Sequence, residues 1–261
     1  MDKTIAIVVP CYNEEIRFPT SYWSEILKTD NGIKWLFVDD GSTDETFEKI
    51  KEACLGTTAQ IIRLKKNHGK GNAIRKGFLE ILGKAPDLGF VGYIDSDGAF
   101  SKNDIFKLAE TARQQTKEFY DSPIDALISS RVSLAGRQIN RKIQRHYVGR
   151  IVATLLTRNW QGAPYDTQSG YKLFLNSDSF KDAIQSDFKT KWFVDIELLT
   201  RIGIRNKGSL NIWEEPLFYW NDVDGSKLSL NNFHTIVFEL LIARRQVFKL
   251  IQERIRQNGS H

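Results

Sequence analysis

Residues 35–54 read Trp35-Leu36-Phe37-Val38-Asp39-Asp40-Gly41-Ser42-Thr43-Asp44-Glu45-Thr46-Phe47-Glu48-Lys49-Ile50-Lys51-Glu52-Ala53-Cys54. An apolar run breaks into an acidic turn and continues as a helix, whose start Ser42 and Glu45 mark as a capping box. The same grammar holds on either side. Strands are expected at residues 4–9, 35–39, 60–64 and 89–95, and helices at 16–28, 43–54 and 72–83. Ser101 with Asp104 opens a further helix, to about residue 119. Strand and helix in alternation predict an α/β fold with a mostly parallel, Rossmann-like sheet flanked by helices. Unbroken apolar strands agree, because parallel strands are covered on both faces.

The remainder is less regular. Strands are expected at 125–129, 171–175 and 209–219, and helices at 138–158, 193–202 and 231–256. With 261 residues, 11% aromatics and six prolines, the chain predicts one ordered domain over 1–257, and disorder is excluded. Residues 231–257 are expected to form a C-terminal amphipathic helix, and 258–261 read as a cloning remnant. Cys11 and Cys54 lack the spacing of a zinc site or a disulfide framework, which points to a reducing interior. Asp2 and Lys3 lead straight into the first strand, and no apolar run is long enough to span a bilayer. The expected location is the cytoplasm, with peripheral contact to the cytoplasmic face of a membrane as its extension.

Ligands of open α/β sheets bind beyond the carboxyl ends of the strands. Three strands here end in polar clusters: Pro10-Cys11-Tyr12-Asn13-Glu14, Asp39-Asp40-Gly41-Ser42-Thr43-Asp44 and Asp95-Ser96-Asp97-Gly98. Parallel order brings all three to one edge. Asp95 and Asp97 stand two apart in extended backbone, so both carboxylates face one way and suit a hard cation, Mg²⁺ or Mn²⁺, against a solvated turn as the plain alternative. At the second cluster Ser42 caps the helix, which leaves Asp39 or Asp40 to accept hydrogen bonds from a base or ribose.

His68-Gly69-Lys70-Gly71-Asn72-Ala73 is neither a P-loop, since Gly71 follows Lys70, nor a dinucleotide fingerprint, since Ile74 replaces the third glycine. Close packing accounts for its glycines, and Lys70 is placed to approach phosphate. From Arg137 through Arg150 there is no acidic residue, and on one helix Arg137, Arg141 and Arg145 would share a face. With Arg131 they read as a phosphate clamp or a solvated basic face. Asp166 and Gln168, before Gly170, are read as sugar contacts, and Trp160, Trp192 and Trp220 as core.

In this order the motifs resemble glycosyltransferase family 2 of GT-A fold: Val8 through Glu14, Val38 through Asp44, Asn67 through Ala73, and Asp95-Ser96-Asp97. Ser130-Arg131, Asp166 through Phe174, Trp192 through Leu199 and Trp220 through Leu228 are similar to dolichyl-phosphate β-glucosyltransferases. The resemblance implies inverting transfer from a nucleotide sugar, with residues 1–100 as the nucleotide-sugar-binding half and 101–230 as the acceptor half. Pro10, Tyr12, Glu14, Asp39 and Lys70 would surround the nucleotide, with Asp40 and Ser96 beside them and Asp95 and Asp97 at the diphosphate and metal. Asp195, Arg131 and Gln168 are the catalytic candidates; Arg137, Arg141, Arg145, Asp166 and Lys227 face the acceptor or its phosphate. Asp195 matches the general base of members acting on a hydroxyl of a glycan, lipid or protein; a polyprenyl phosphate would need no base. The expected donor is UDP-glucose and the expected acceptor a polyprenyl phosphate. Nucleic acid is an unsuitable partner, because the clustered carboxylates repel it.

Overall fold

The computed structural model describes residues 4–29, 32–114, 123–140, 143–191, 193–221 and 233–258. Strands β1 (Ile5–Cys11), β2 (Ile33–Asp39), β3 (Gln60–Arg63) and β4 (Phe90–Ile94) alternate with helices α1 (Thr20–Leu27), α2 (Thr46–Cys54) and α3 (Lys70–Lys84). Then come α4 (Lys102–Gln114), β5 (Ala126–Ser130), β6 (Gln138–Asn140), α5 (Ile143–Thr157), β7 (Tyr171–Leu175) and α6 (Asp178–Ala183). The chain continues through α7 (Val194–Arg205), β8 (Ile212–Pro216), β9 (Tyr219–Asn221) and α8 (Phe233–Asn258).

Seven strands form one sheet in the order β3-β2-β1-β4-β7-β5-β8. Only β7 runs against its neighbours, β4 and β5. Period-2 alternation divides the core. Ala6 and Val8 of β1 point to one side, under α3 and α7, while Ile5, Ile7 and Val9 point to the other, among Trp23, Phe37 and Ile105. A second sheet pairs β6 with β9.

Three expectations fail here. Residues 138–158 are not one helix, because Gln138–Asn140 is drawn into pairing with β9 and Gln138 N–H donates to Phe218 O at 2.9 Å. Tertiary pairing overrides the local helical pattern. The strand expected at 209–219 is split into β8 and β9, one in each sheet. Finally, α2 starts at Thr46 rather than at a Ser42 cap: the Ser42 hydroxyl accepts from Asn13 N–H instead. The Ser101 and Asp104 box does form, with Asp104 N–H donating to Ser101 Oγ at 3.1 Å. Sequence reading missed α6, a short helix capped by Ser177. Both cysteines are free and buried.

Candidate active site

The strand register places the ends of β1, β2 and β4 side by side, with Cys11 opposite Asp39 and Val8 opposite Tyr93. The loop after β1 is laced to the loop after β2. Asn13 N–H donates to Ser42 Oγ, Thr43 N–H to Asn13 Oδ1, Glu14 N–H to Thr46 Oγ1 and Glu15 N–H to Asp44 Oδ2. Pro10 is buried in β1, and Tyr12 and Glu14 are half-buried where the strand leaves the sheet. Ser96 is also buried, and its carbonyl accepts from Trp23 Nε1 at 2.8 Å.

The acidic pair after β2 is turned inward. Asp39 takes Ser42 N–H at 3.0 Å and meets Arg63 Nε at 3.0 Å. Asp40 accepts from His68 N–H, Gly69 N–H and Asn67 Nδ2, which fixes the loop that leads into Lys70. Burial raises the Asp40 carboxyl above its ordinary value, against those hydrogen bonds. Of the two carboxylates, one of which was expected to meet a base or ribose, Asp40 shapes the Lys70 loop, while Asp39 Oδ2 has its ion pair with Arg63 and no hydrogen bond among the described residues.

Asp95 and Asp97 are placed differently. Lys70 Nζ lies 2.5 Å from Asp95 Oδ1, and Arg17 donates to Asp97 Oδ2 at 3.1 Å. Burial first, then the neighbouring Asp95, pushes the Asp97 carboxyl up to about 6. Burial works against the charge of Lys70, but Asp95, Asp195 and Asp97 outweigh it and hold the ammonium above its ordinary range. Three carboxylates from β4 and α7 therefore act on one lysine. Gly170 permits the approach of β7: a Cβ there would lie 2.3 Å from Asp95 Oδ2. At Gly71 a Cβ would lie 2.7 Å from Val194 Cγ2, so this glycine serves packing of α3 on α7.

The residue types fit a divalent cation. Two hard carboxylates repel each other, and two protein ligands leave positions for phosphate oxygens. No cluster of three or more acidic, histidine or cysteine ligands occurs among the described residues.

On the second half of the site, Arg131 Nε and Nη2 grip Asp166 at 2.7 and 2.8 Å, and Arg131 N–H adds a third bond at 3.0 Å. The phosphate-clamp arginine and the sugar-contact aspartate of the sequence reading are partners of each other. Gln168 Nε2 and Thr167 Oγ1 are buried with no hydrogen-bond partner among the described residues. Arg137 precedes β6 and stacks over the Phe218 ring at 3.5 Å, so it shares no helix face with the arginines that follow. Arg141, Lys227 and Trp192 lie outside the described residues, and Arg145 falls in α5 with its side chain outside them. Trp160 and Trp220 are buried, as expected for core residues.

Asp195 opens α7 beneath the site. It accepts from the Tyr93 hydroxyl and pairs with Lys172 Nζ at 3.0 Å. Lys172 is 0% exposed and also donates to Ser169 O and, at 3.3 Å, to Tyr93 Oη. Burial pushes Asp195 up to about 7, against the charge of Lys70, and pushes Lys172 down to about 7, against the charge of Asp166. Glu197 is structural, accepting from Lys189 N–H and Thr190 N–H. Arg17, Tyr93 and Lys172 had no role in the sequence reading. Only Lys172 left a signal there, as a cation within an apolar strand.

The pattern that defines glycosyl transferase family 2 matches residues 6–179. A dolichyl-phosphate beta-glucosyltransferase of Saccharomyces cerevisiae is 31% identical over 242 residues, covering 87% of this chain and 69% of that protein. The human protein of the same name is 29% identical, with 87% and 70% covered. A glucosyl-3-phosphoglycerate synthase of Mycobacterium tuberculosis, solved with Mn²⁺, uridine diphosphate and phosphoglyceric acid, superposes with a TM-score of 0.64 at 18% identity. That match covers 96% of this chain and 78% of the other, and it bears out the GT-A fold. By its sequence pattern and its sheet, the chain belongs to glycosyl transferase family 2 and is a glycosyltransferase.

Proposed function

We propose that the protein transfers glucose from UDP-glucose, with inversion, to a polyprenyl phosphate of the dolichyl type. Its yeast and human relatives are named for glucosyl transfer involving dolichyl phosphate. The donor side rests on Asp95, Asp97 and Lys70 at the strand ends. Asp95 and Asp97 would hold Mg²⁺ or Mn²⁺, which would neutralise charge developing on the departing diphosphate. Lys70, whose loop Asp40 fixes, would meet the same phosphates, and Gln168 and Thr167 would offer donors to the sugar or acceptor.

The observation that carries the acceptor is the state of Asp195. Its carboxylate is taken up by Tyr93 and Lys172, so it orients basic groups rather than waiting for a proton. A phosphate is ionised at neutral pH and attacks without a base, whereas a hydroxyl must give up its proton. The test is glucosyl transfer by the purified protein to dolichyl phosphate and to a panel of sugar and lipid alcohols. The expected product is the β-linked glucosyl phosphate lipid; transfer to the alcohols alone would overturn the reading.

A second reading, transfer to a hydroxyl with Asp195 as base, draws on the carboxyl pushed up to about 7, a value suited to proton abstraction. Asp195→Asn separates the two. Loss of about a thousandfold or more in turnover with donor affinity intact favours the base, and a loss of about tenfold favours the phosphate acceptor. For location, no helix among the described residues is long and apolar enough to cross a membrane. We assign the enzyme to the cytoplasmic face of a membrane as a peripheral protein.

A further inference from the structure

The apolar residues of α8 do not all face inward. Sequence spacing puts residues 233, 236, 237, 240, 241, 248, 251 and 255 on one helix face, suited to packing over the sheet or to docking on a membrane surface. Instead the buried line is Glu239, Ala243, Val247 and Leu250, lying on α7 and α5. Close approach decides this orientation: a Cβ at Gly203 of α7 would stand 2.6 Å from Leu250 Cδ1. On the opposite side Phe238, Leu241, Phe248 and Ile255 are exposed by 65, 59, 58 and 65%. Their spacing of three, seven and seven residues keeps them in one stripe along the helix, about 26 Å long.

Charge accompanies the stripe. Arg244, Lys249 and Arg256 are exposed beside it, and Arg245 is exposed within it. Neither carboxylate of α8 faces the same way: Glu239 is buried, and Glu253, on the flank, pairs with Arg256 at 3.4 Å. Helix α5 packs against α8 and exposes Ile151, Leu155 and Arg158. No acidic residue occurs between Arg137 and Tyr165.

We propose that the outward face of α8 docks on a lipid leaflet that carries anionic headgroups. Apolar side chains in a line with cations on both flanks match the acyl boundary and the phosphate layer above it. A second copy of the chain fits poorly, because like charges would meet. Self-pairing would also bury Arg245 and Gln252, which fall in the stripe between Leu241, Phe248 and Ile255. On a membrane the long arginine stem lies along the apolar surface while its head reaches the phosphates. The docking is argued from α8 and does not rest on the proposed function; an acceptor dissolved in the leaflet would be its use if that function holds.

The test is co-sedimentation of the full chain with phosphatidylcholine vesicles, with and without phosphatidylglycerol. Wild type is expected to pellet with the anionic vesicles and to be released by salt. Phe238→Ser with Phe248→Ser should cut binding about tenfold or more. Arg244→Glu, Arg245→Glu and Lys249→Glu together should abolish the preference for anionic lipid. An unchanged thermal shift with UDP and Mn²⁺ checks that these variants remain folded. Wild type left in the supernatant, variants that pellet like wild type, or a dimer in light scattering that the serine variants dissociate would each overturn the proposal. Transfer to a short-chain polyprenyl phosphate in detergent is read separately. Lost vesicle binding with retained transfer breaks the docking alone, and retained binding without transfer breaks the acceptor reading alone.

Discussion

Two strands of this sheet end in paired aspartates, and the pairs live under opposite conditions. After β2, Asp39 and Asp40 are buried and their oxygens are met by Ser42, Arg63, Asn67, His68 and Gly69. After β4, Asp95 and Asp97 keep 32 and 20% of their side chains exposed and act on each other as like charges. The first pair has spent its charge on holding loops. The second retains a demand for positive charge that Lys70 and Arg17 meet only in part.

The widest separation between the pairs should appear in activity. Asp97→Asn or Asp95→Asn is expected to lower glucosyl transfer by about a hundredfold to a thousandfold, with the melting temperature held or raised. Initial rates and a thermal scan on the same preparations check both halves. A rate within a few fold of wild type would remove the cation from the donor side.

Asp195 is a third case, buried like Asp39 but paired with an equally buried lysine. Lys172→Met should cost about 3–5 kcal/mol, because it strands a carboxylate in the interior. The double variant with Asp195→Asn should recover part of that loss, and denaturant titration of the three proteins measures the coupling. Strict additivity would mean that the pair contributes nothing.

After β2 the expected effect is smaller and falls on stability. Asp40→Ala removes the acceptor of three hydrogen bonds and should cost about 2–3 kcal/mol, or roughly 5–10 °C in Tm. Donor affinity should drop as well, since the Lys70 loop loses its anchor. A variant with wild-type stability and abolished nucleotide binding would reverse the assignment and make Asp40 a ligand contact.

The subtlest difference is in pH. The folded Asp97 carboxyl, at about 6, lies above its unfolded value, so folded protein binds more protons between about pH 4 and 6. Stability of metal-free wild type from this group is present below that window and falls as pH rises through it. Asp97→Asn should gain on wild type in Tm across the same window in EDTA, and Mn²⁺ with UDP should narrow the gap. A gap independent of pH would show that Asp97 is not raised.

Much of this was legible without coordinates. Apolar strands alternating with amphipathic helices in residues 4–114 pointed to the parallel sheet, because period and turn chemistry are local properties. The motifs around Asp95, Lys70 and Asp40 gave the class of chemistry. Ser42 shows the limit: its capping box has the right letters, yet its hydroxyl serves Asn13, twenty-nine residues away in sequence. Arg131 and Asp166 each looked free to meet a ligand until β5 and the loop before β7 brought them together.

The sequence by itself determined the kinds of group available at the sheet edge, since strand period and turn residues decide which side chains end a strand. Tertiary structure alone decided which of those charges are spent and which remain open. It also drew residues 138–140 out of a helix and turned Phe238 and Phe248 outward. The physical reason is that burial, ion pairing and close backbone approach at Gly170 and Gly203 depend on partners far away in the chain. No local window of sequence contains them.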